Sequence, residues 1–113
     1  MSQTSLDSFS VEIRTIFNTT AVITVSGRLD ATRCPELRAL TESHSQPGLS
    51  RMTIDLQNAQ FIDSVGLAAL VKAMRDTEAV GATFDIVRPL SDDAMRIFRL
   101  SKFDEVFDMR DPT

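Results

Sequence analysis

The chain has 113 residues, a formal net charge of −4, and apolar and charged shares of 42% and 25%, which fit one globular domain and exclude bulk disorder. No stretch approaches the roughly 18–20 apolar residues of a membrane span, the opening MSQTSLDSFSVE lacks the charged and apolar regions of a secretory signal, and the acidic balance argues against direct nucleic-acid binding. Cys34 is the single cysteine, so no internal disulfide can form and a reducing, cytoplasmic setting without membrane insertion is expected.

Phe9, Val11, Ile13 and Thr15 alternate with polar residues, the period of a half-buried strand. A polar turn at Asn18, Thr19 and Thr20 leads into the β-branched run Ala21–Val25, so the two strands should form an antiparallel hairpin closed off at Gly27 and Asp30. Residues 32–45 read as a helix with Thr32 as N-cap and Pro35 in its first turn, showing Cys34, Leu37, Leu40 and Thr41 on one weakly apolar face and ending at Pro47 and Gly48. Met52, Ile54 and Leu56 alternate as a third strand.

A short loop past Phe61 and Ile62 then gives way to a helical pattern from Ser64 to Val80. Leu67, Leu70, Val71 and Met74 fall at helical spacing, with Lys72, Arg75 and Asp76 opposite and Gly81 beyond the end. Thr83–Arg88 is a fourth strand stopped by Pro89. Ser91 caps a third helix that begins with Asp92 and Asp93, where the helix dipole favours acids. Phe103, Val106 and Phe107 are expected to fold back on the core. Residues 1–7 and 111–113 have the composition of loose ends, which leaves an ordered core of about 9–109 within a single domain, 1–113. The order β-β-α-β-α-β-α predicts an α/β fold: a mixed, mostly parallel sheet with an antiparallel N-terminal hairpin and helices mainly on one face.

The segment richest in chemistry is DLQNAQFIDSVGLAAL, residues 55–70. Asp63 can cap the helix, which puts Ser64 at or near the first helical position, where backbone N–H groups are unpaired and a hydroxyl is easily exposed. A phosphate there would meet free donors but also the negative charge of Asp63 and Asp30. Gly66, without a side chain, allows a partner or a neighbouring loop to come close. Residues 57–113 carry seven basic against ten acidic side chains, an excess that would put negative charge near this helix.

Other candidates are sparse. His44 is the sole histidine, so a histidine-based zinc site or proton relay lacks parts. Cys34 is spaced as a core thiol. Asp30, Asp55 and Asp63 lack the adjacent acids and the lysine of a receiver-type Mg²⁺ site, and there is no Gly-rich phosphate loop. No metal, no cofactor and no catalysis by the chain itself are expected.

Several motifs in order resemble the STAS family, the domain of bacterial anti-sigma factor antagonists and of the cytoplasmic tails of sulfate transporters. They are Gly27-Arg28-Leu29-Asp30, Asp55-Leu56, Phe61-Ile62-Asp63-Ser64-Val65-Gly66-Leu67, and Phe103-Asp104-Glu105-Val106-Phe107. Val65 replaces the second serine of many antagonists, and Lys102 stands where many members have glycine. The resemblance implies that Ser64 is a phospho-acceptor for an anti-sigma factor that is itself a serine kinase. It implies that a PP2C-type phosphatase reverses the modification. It further implies that Asp30, Asp63, Val65, Gly66 and Leu67 belong to the partner-binding switch surface. A rival expectation is a non-catalytic STAS subunit of a lipid-transport ATPase or a stress-signalling scaffold, with Ser64 only a helix cap.

Overall fold

Alternating β-branched residues put the first two strands where the period predicts them. The computed structural model describes residues 9–16 and 19–112. The N-terminal stretch 1–7, the turn position Asn18 and Thr113 lie outside the described residues. β1 (Ser10–Ile16) pairs antiparallel with β2 (Thr20–Leu29), Ile13 opposite Ile23 and Val11 opposite Val25. α1 (Cys34–His44), β3 (Arg51–Asp55), β4 (Ala59–Ile62), α2 (Ser64–Ala79), β5 (Thr83–Val87), α3 (Asp92–Ser101), a 3₁₀ turn at Phe103–Glu105 and β6 (Met109–Arg110) follow. The sheet order is β1-β2-β3-β5-β6, with β4 on β2, and every pairing except β1–β2 is parallel.

Three points differ from the sequence pattern. First, Gly27 does not end its strand. It takes φ +86° at a register shift, so β2 bulges there and runs on to Leu29. Second, that extension recruits a strand the pattern missed. The first half of β2 pairs with β3, and its second half pairs with β4, Leu29 opposite Ile62, so the expected loop at Phe61 and Ile62 is a strand. Third, Thr32 does not cap α1. Arg33 occupies the N-cap position without a side-chain capping bond, while Asp30 Oδ1 accepts from Thr32 N–H at 3.1 Å and the Asp30 carbonyl accepts from Arg33 and Cys34.

Ala21, Ile23, Val25, Met52, Ile54, Phe84 and Ile86 line the helix-facing side of the sheet and are buried against Leu37, Leu70, Ala73 and Phe98 of the helices. Phe107 closes the core, its ring 5.8–6.1 Å from those of Phe84, Phe98 and Phe103. Val106, expected to fold inward with it, is 55% exposed. Lys102 ends α3 in the left-handed region, φ +63°, as the position often held by glycine requires.

The opposite side of the sheet holds a buried acid that the alternation did not single out. Asp85 is buried. Thr53, its register partner on β3, donates to Oδ1 at 2.5 Å, and Oδ2 lies 3.1 Å from Arg51 Nη2 and 3.2 Å from Arg110 Nε. The carboxylate therefore ties the two-residue β6 to the middle of the sheet. Asp85→Ala strips the Thr53 hydroxyl of its acceptor and releases both half-exposed arginines. The expected loss is about 2 kcal/mol in denaturant unfolding. Asp85→Asn, which keeps an acceptor, should lose less. Unchanged stability in Asp85→Ala would exclude the anchoring role.

Candidate functional site

The pairing of β4 with the end of β2 builds the site. Because Leu29 and Ile62 are opposite one another, Asp30 and Asp63, each the next residue along, leave the sheet side by side. Asp63 N–H donates to the Leu29 carbonyl at 3.3 Å and locks the two exits together. Asp63 then caps α2, its Oδ1 accepting from Gly66 N–H at 2.8 Å. Asp30 is held by its own turn and by Arg33, whose Nη1 lies 3.5 Å from Asp30 Oδ2.

Ser64 is the first residue of α2 and exposed, and its hydroxyl bonds to no described residue. It is therefore not the helix cap; Asp63 is. Val65 is 38% exposed beside it. Gly66 and Leu67, expected on the partner surface, are both buried. A Cβ on Gly66 would stand 2.6 Å from the Leu29 carbonyl oxygen. The close approach foreseen there comes from the chain's own β2. Leu67 packs in the core, 7% exposed, and borders the groove that runs along α2 from Ser64.

Two hollows open on either side of Ser64. A shallow groove runs along α2 toward Phe103, over Ala68 and Val71 and past Lys72, Arg75 and Asp76. Lys72 is ion-paired there with Asp76 at 2.7 Å and with Glu42 of α1 at 3.5 Å, which holds its ammonium above its usual pKa. The second hollow, about 270 Å³, lies between Ser64 and α3 and is bounded by Phe61, Asp93, Arg96, Ile97 and Leu100. Leu100 is 72% exposed at its rim, and the Arg28 guanidinium sits 4.3 Å over the Phe61 ring. Phe61, Arg96 and Leu100 were absent from the residues expected at the site. The spacing 93, 96, 97, 100 marks one stripe of α3, but only the tertiary fold turns that stripe toward Ser64.

Charges around the serine are closer to balance than the composition of the second half suggests. Three cations, Lys72, Arg75 and Arg96, and three acids, Asp63, Asp76 and Asp93, line the two hollows.

The remaining reactive side chains lie elsewhere. Cys34 is fully buried, and burial, followed by the nearby Asp63 charge, pushes its thiol up, so it stays protonated at neutral pH. His44 closes α1, its Nδ1 2.9 Å from the Leu40 carbonyl. Among the described residues no helix is long and apolar enough to cross a membrane.

The site is thus an exposed serine at the start of α2, bonded to no described residue and set beside two paired strand exits. The STAS domain family model matches residues 10–112, and the chain belongs to that family. Its fold is similar to that of the anti-sigma factor antagonist SpoIIAA in its unphosphorylated form, with TM-score 0.79, 24% identity, and coverage of 92% of this chain and 89% of that one. An anti-sigma factor antagonist from Mycobacterium paratuberculosis is similar at TM-score 0.79 and 25% identity, covering 98% and 92% of the two chains. The phosphorylated form of SpoIIAA, described as a Bacillus cell fate determinant, aligns at TM-score 0.73 and 24% identity, covering 92% of each chain.

Proposed function

We propose that this protein is an anti-sigma factor antagonist whose partner is a serine-kinase anti-sigma factor, with Ser64 as the switch. The observation that carries this is the disposable hydroxyl. Asp63 performs the capping, so Ser64 Oγ is exposed and can be modified without loss of a hydrogen bond to any described residue. Its neighbours Val65 and Leu100 give a partner exposed apolar surface on either side.

In this function the kinase supplies the catalytic groups and ATP. Ser64 Oγ attacks the γ-phosphorus, the bond to the ADP oxygen breaks, and the hydroxyl proton passes to a base on the kinase. The antagonist contributes position only. The unphosphorylated form occupies the kinase and frees the sigma factor. The phosphorylated form lets go, and a PP2C-type phosphatase returns phosphate to water and the hydroxyl to Ser64. The setting is the cytoplasm, and the output is regulation of transcription without contact between this chain and DNA.

The test is phosphoryl transfer. Incubated with its cognate kinase and ATP, the protein should gain the mass of one phosphoryl group, mapped to Ser64, and Ser64→Ala should gain none. Transfer to another residue, or none with an active kinase, would overturn the assignment.

A further inference from the structure

Arg96 is the side chain at this site that the switch does not yet use. It projects from the exposed side of α3 and forms no hydrogen bond or ion pair with any described residue. It borders the same hollow as Ser64. Residues 93, 96, 97 and 100 share one stripe of α3, and that stripe borders the hollow.

The other charged groups nearby are accounted for, Lys72 by its ion pairs with Asp76 and Glu42. Asp63 is committed to Gly66 N–H, Asp30 is paired with Arg33, and Arg28 is held over Phe61. Asp93 is exposed at the start of α3 and is the carboxylate that competes for Arg96. Arg75 also borders a hollow with Ser64. It lies eleven residues further along α2, about 16 Å down the helix axis, beyond the reach of a phosphate on Ser64.

We infer that Arg96 is the receiver of the phosphate on Ser64: once modified, the serine pairs across the hollow with this guanidinium and holds the phosphate over the apolar rim formed by Phe61 and Leu100. A dianion with three acceptor oxygens outcompetes the single charge of Asp93, and a guanidinium fork matches it in two bonds. The off state is then more than added charge. The phosphate and Arg96 together occupy the hollow a partner would enter. This inference rests on Ser64 being the modified residue.

Phosphoserine placed at position 64 of the full chain by genetic encoding tests the pairing without any kinase. The ³¹P resonance, followed through a pH titration, reports the second ionisation of the phosphate, ordinarily at pH ~6. An adjacent guanidinium favours the dianion and lowers that midpoint. The midpoint is expected to rise by about half a pH unit in Arg96→Gln, the size of a part-exposed ion pair, with Arg96→Lys between the two. Arg75→Gln should leave it at the wild-type value. Arg96 is exposed, and unchanged thermal unfolding of the variants serves as the folding control. Equal midpoints in wild type and Arg96→Gln would overturn the inference, as would a rise of the same size in Arg75→Gln. A lowered midpoint combined with no kinase transfer to Ser64 would keep the pairing and remove the switch; transfer combined with equal midpoints would do the reverse.

Discussion

Ser64→Asp is expected to weaken binding of the cognate kinase by at least ~100-fold, about 3 kcal/mol, while leaving the fold unchanged. Both halves follow from the same geometry. The Ser64 side chain makes no hydrogen bond to any described residue, and the capping of α2 belongs to Asp63, so a carboxylate at position 64 breaks no hydrogen bond among the described residues. A partner seated on Val65 and the Leu100 rim must desolvate whatever stands between them. A hydroxyl can be desolvated while donating a hydrogen bond, but stripping water from a carboxylate there costs several kcal/mol, and a carboxylate drawn toward Arg96 fills the hollow that the partner would enter. Ser64→Ala is the matched control. It should bind as tightly as wild type and be insensitive to ATP, since nothing can be transferred to it. Titration calorimetry at fixed ionic strength measures both, with circular dichroism and thermal unfolding confirming the fold. Wild-type affinity in Ser64→Asp would refute the switch.

How much of this was legible in the chain depends on the range of the interaction. Local signals carried far. Asp63 before an apolar helix, Ser91 before α3 and the period-two runs of β1 and β3 are each decided within a few residues, and the structure places them accordingly. The start of α1 was displaced locally, by the Asp30 turn that takes the amides of residues 32–34; the missed strands depend on partners distant in sequence. The four residues of β4 are too few to show a period, and they are a strand because β2 bulges at Gly27 and has an unpaired outer half to offer. The two residues of β6 carry no pattern and are held by β5 and by the Arg110–Asp85 contact. The same division runs through the site. Ser64, Asp63 and Asp30 stood out as residue types in a motif. Phe61, Arg96 and Leu100 reached the site through the packing of α3 beside β4. Gly66 was noticed for the right reason, close approach by a partner or a neighbouring loop, and within the fold the approaching group is the Leu29 carbonyl.

That reassignment gives the second large effect. Gly66→Ala is expected to destabilise the protein by about 3 kcal/mol, lowering its midpoint of thermal unfolding by about 10 °C. Two effects oppose one another. Alanine is favoured over glycine by up to about 1 kcal/mol in a helix, and Gly66 stands in the first turn, so helix propensity alone predicts a small stabilisation. Against it, the new methyl would sit 2.6 Å from the Leu29 backbone oxygen and 3.1 Å from Ile62 Cγ2 and Leu29 Cγ. The first neighbour is main chain at the end of β2, and the Leu29 carbonyl also accepts from Asp63 N–H at 3.3 Å, so it cannot retreat without loosening the bond that sets the two strand exits side by side. The clash therefore outweighs the propensity gain. Gly48 supplies the contrast. It has φ +101°, and a methyl group there would meet nothing within 4 Å, so Gly48→Ala meets backbone strain alone, about 1 kcal/mol. Denaturant unfolding of the two variants separates close approach from conformational freedom as the reason for a glycine. Amide shifts in Gly66→Ala should be largest at Asp30 and Asp63, because relieving the clash pushes the start of α2, and Ser64 with it, away from β2. A Gly66→Ala variant as stable as wild type, or more so, would mean that the Leu29 carbonyl yields freely and that the position of Ser64 is not fixed by this contact.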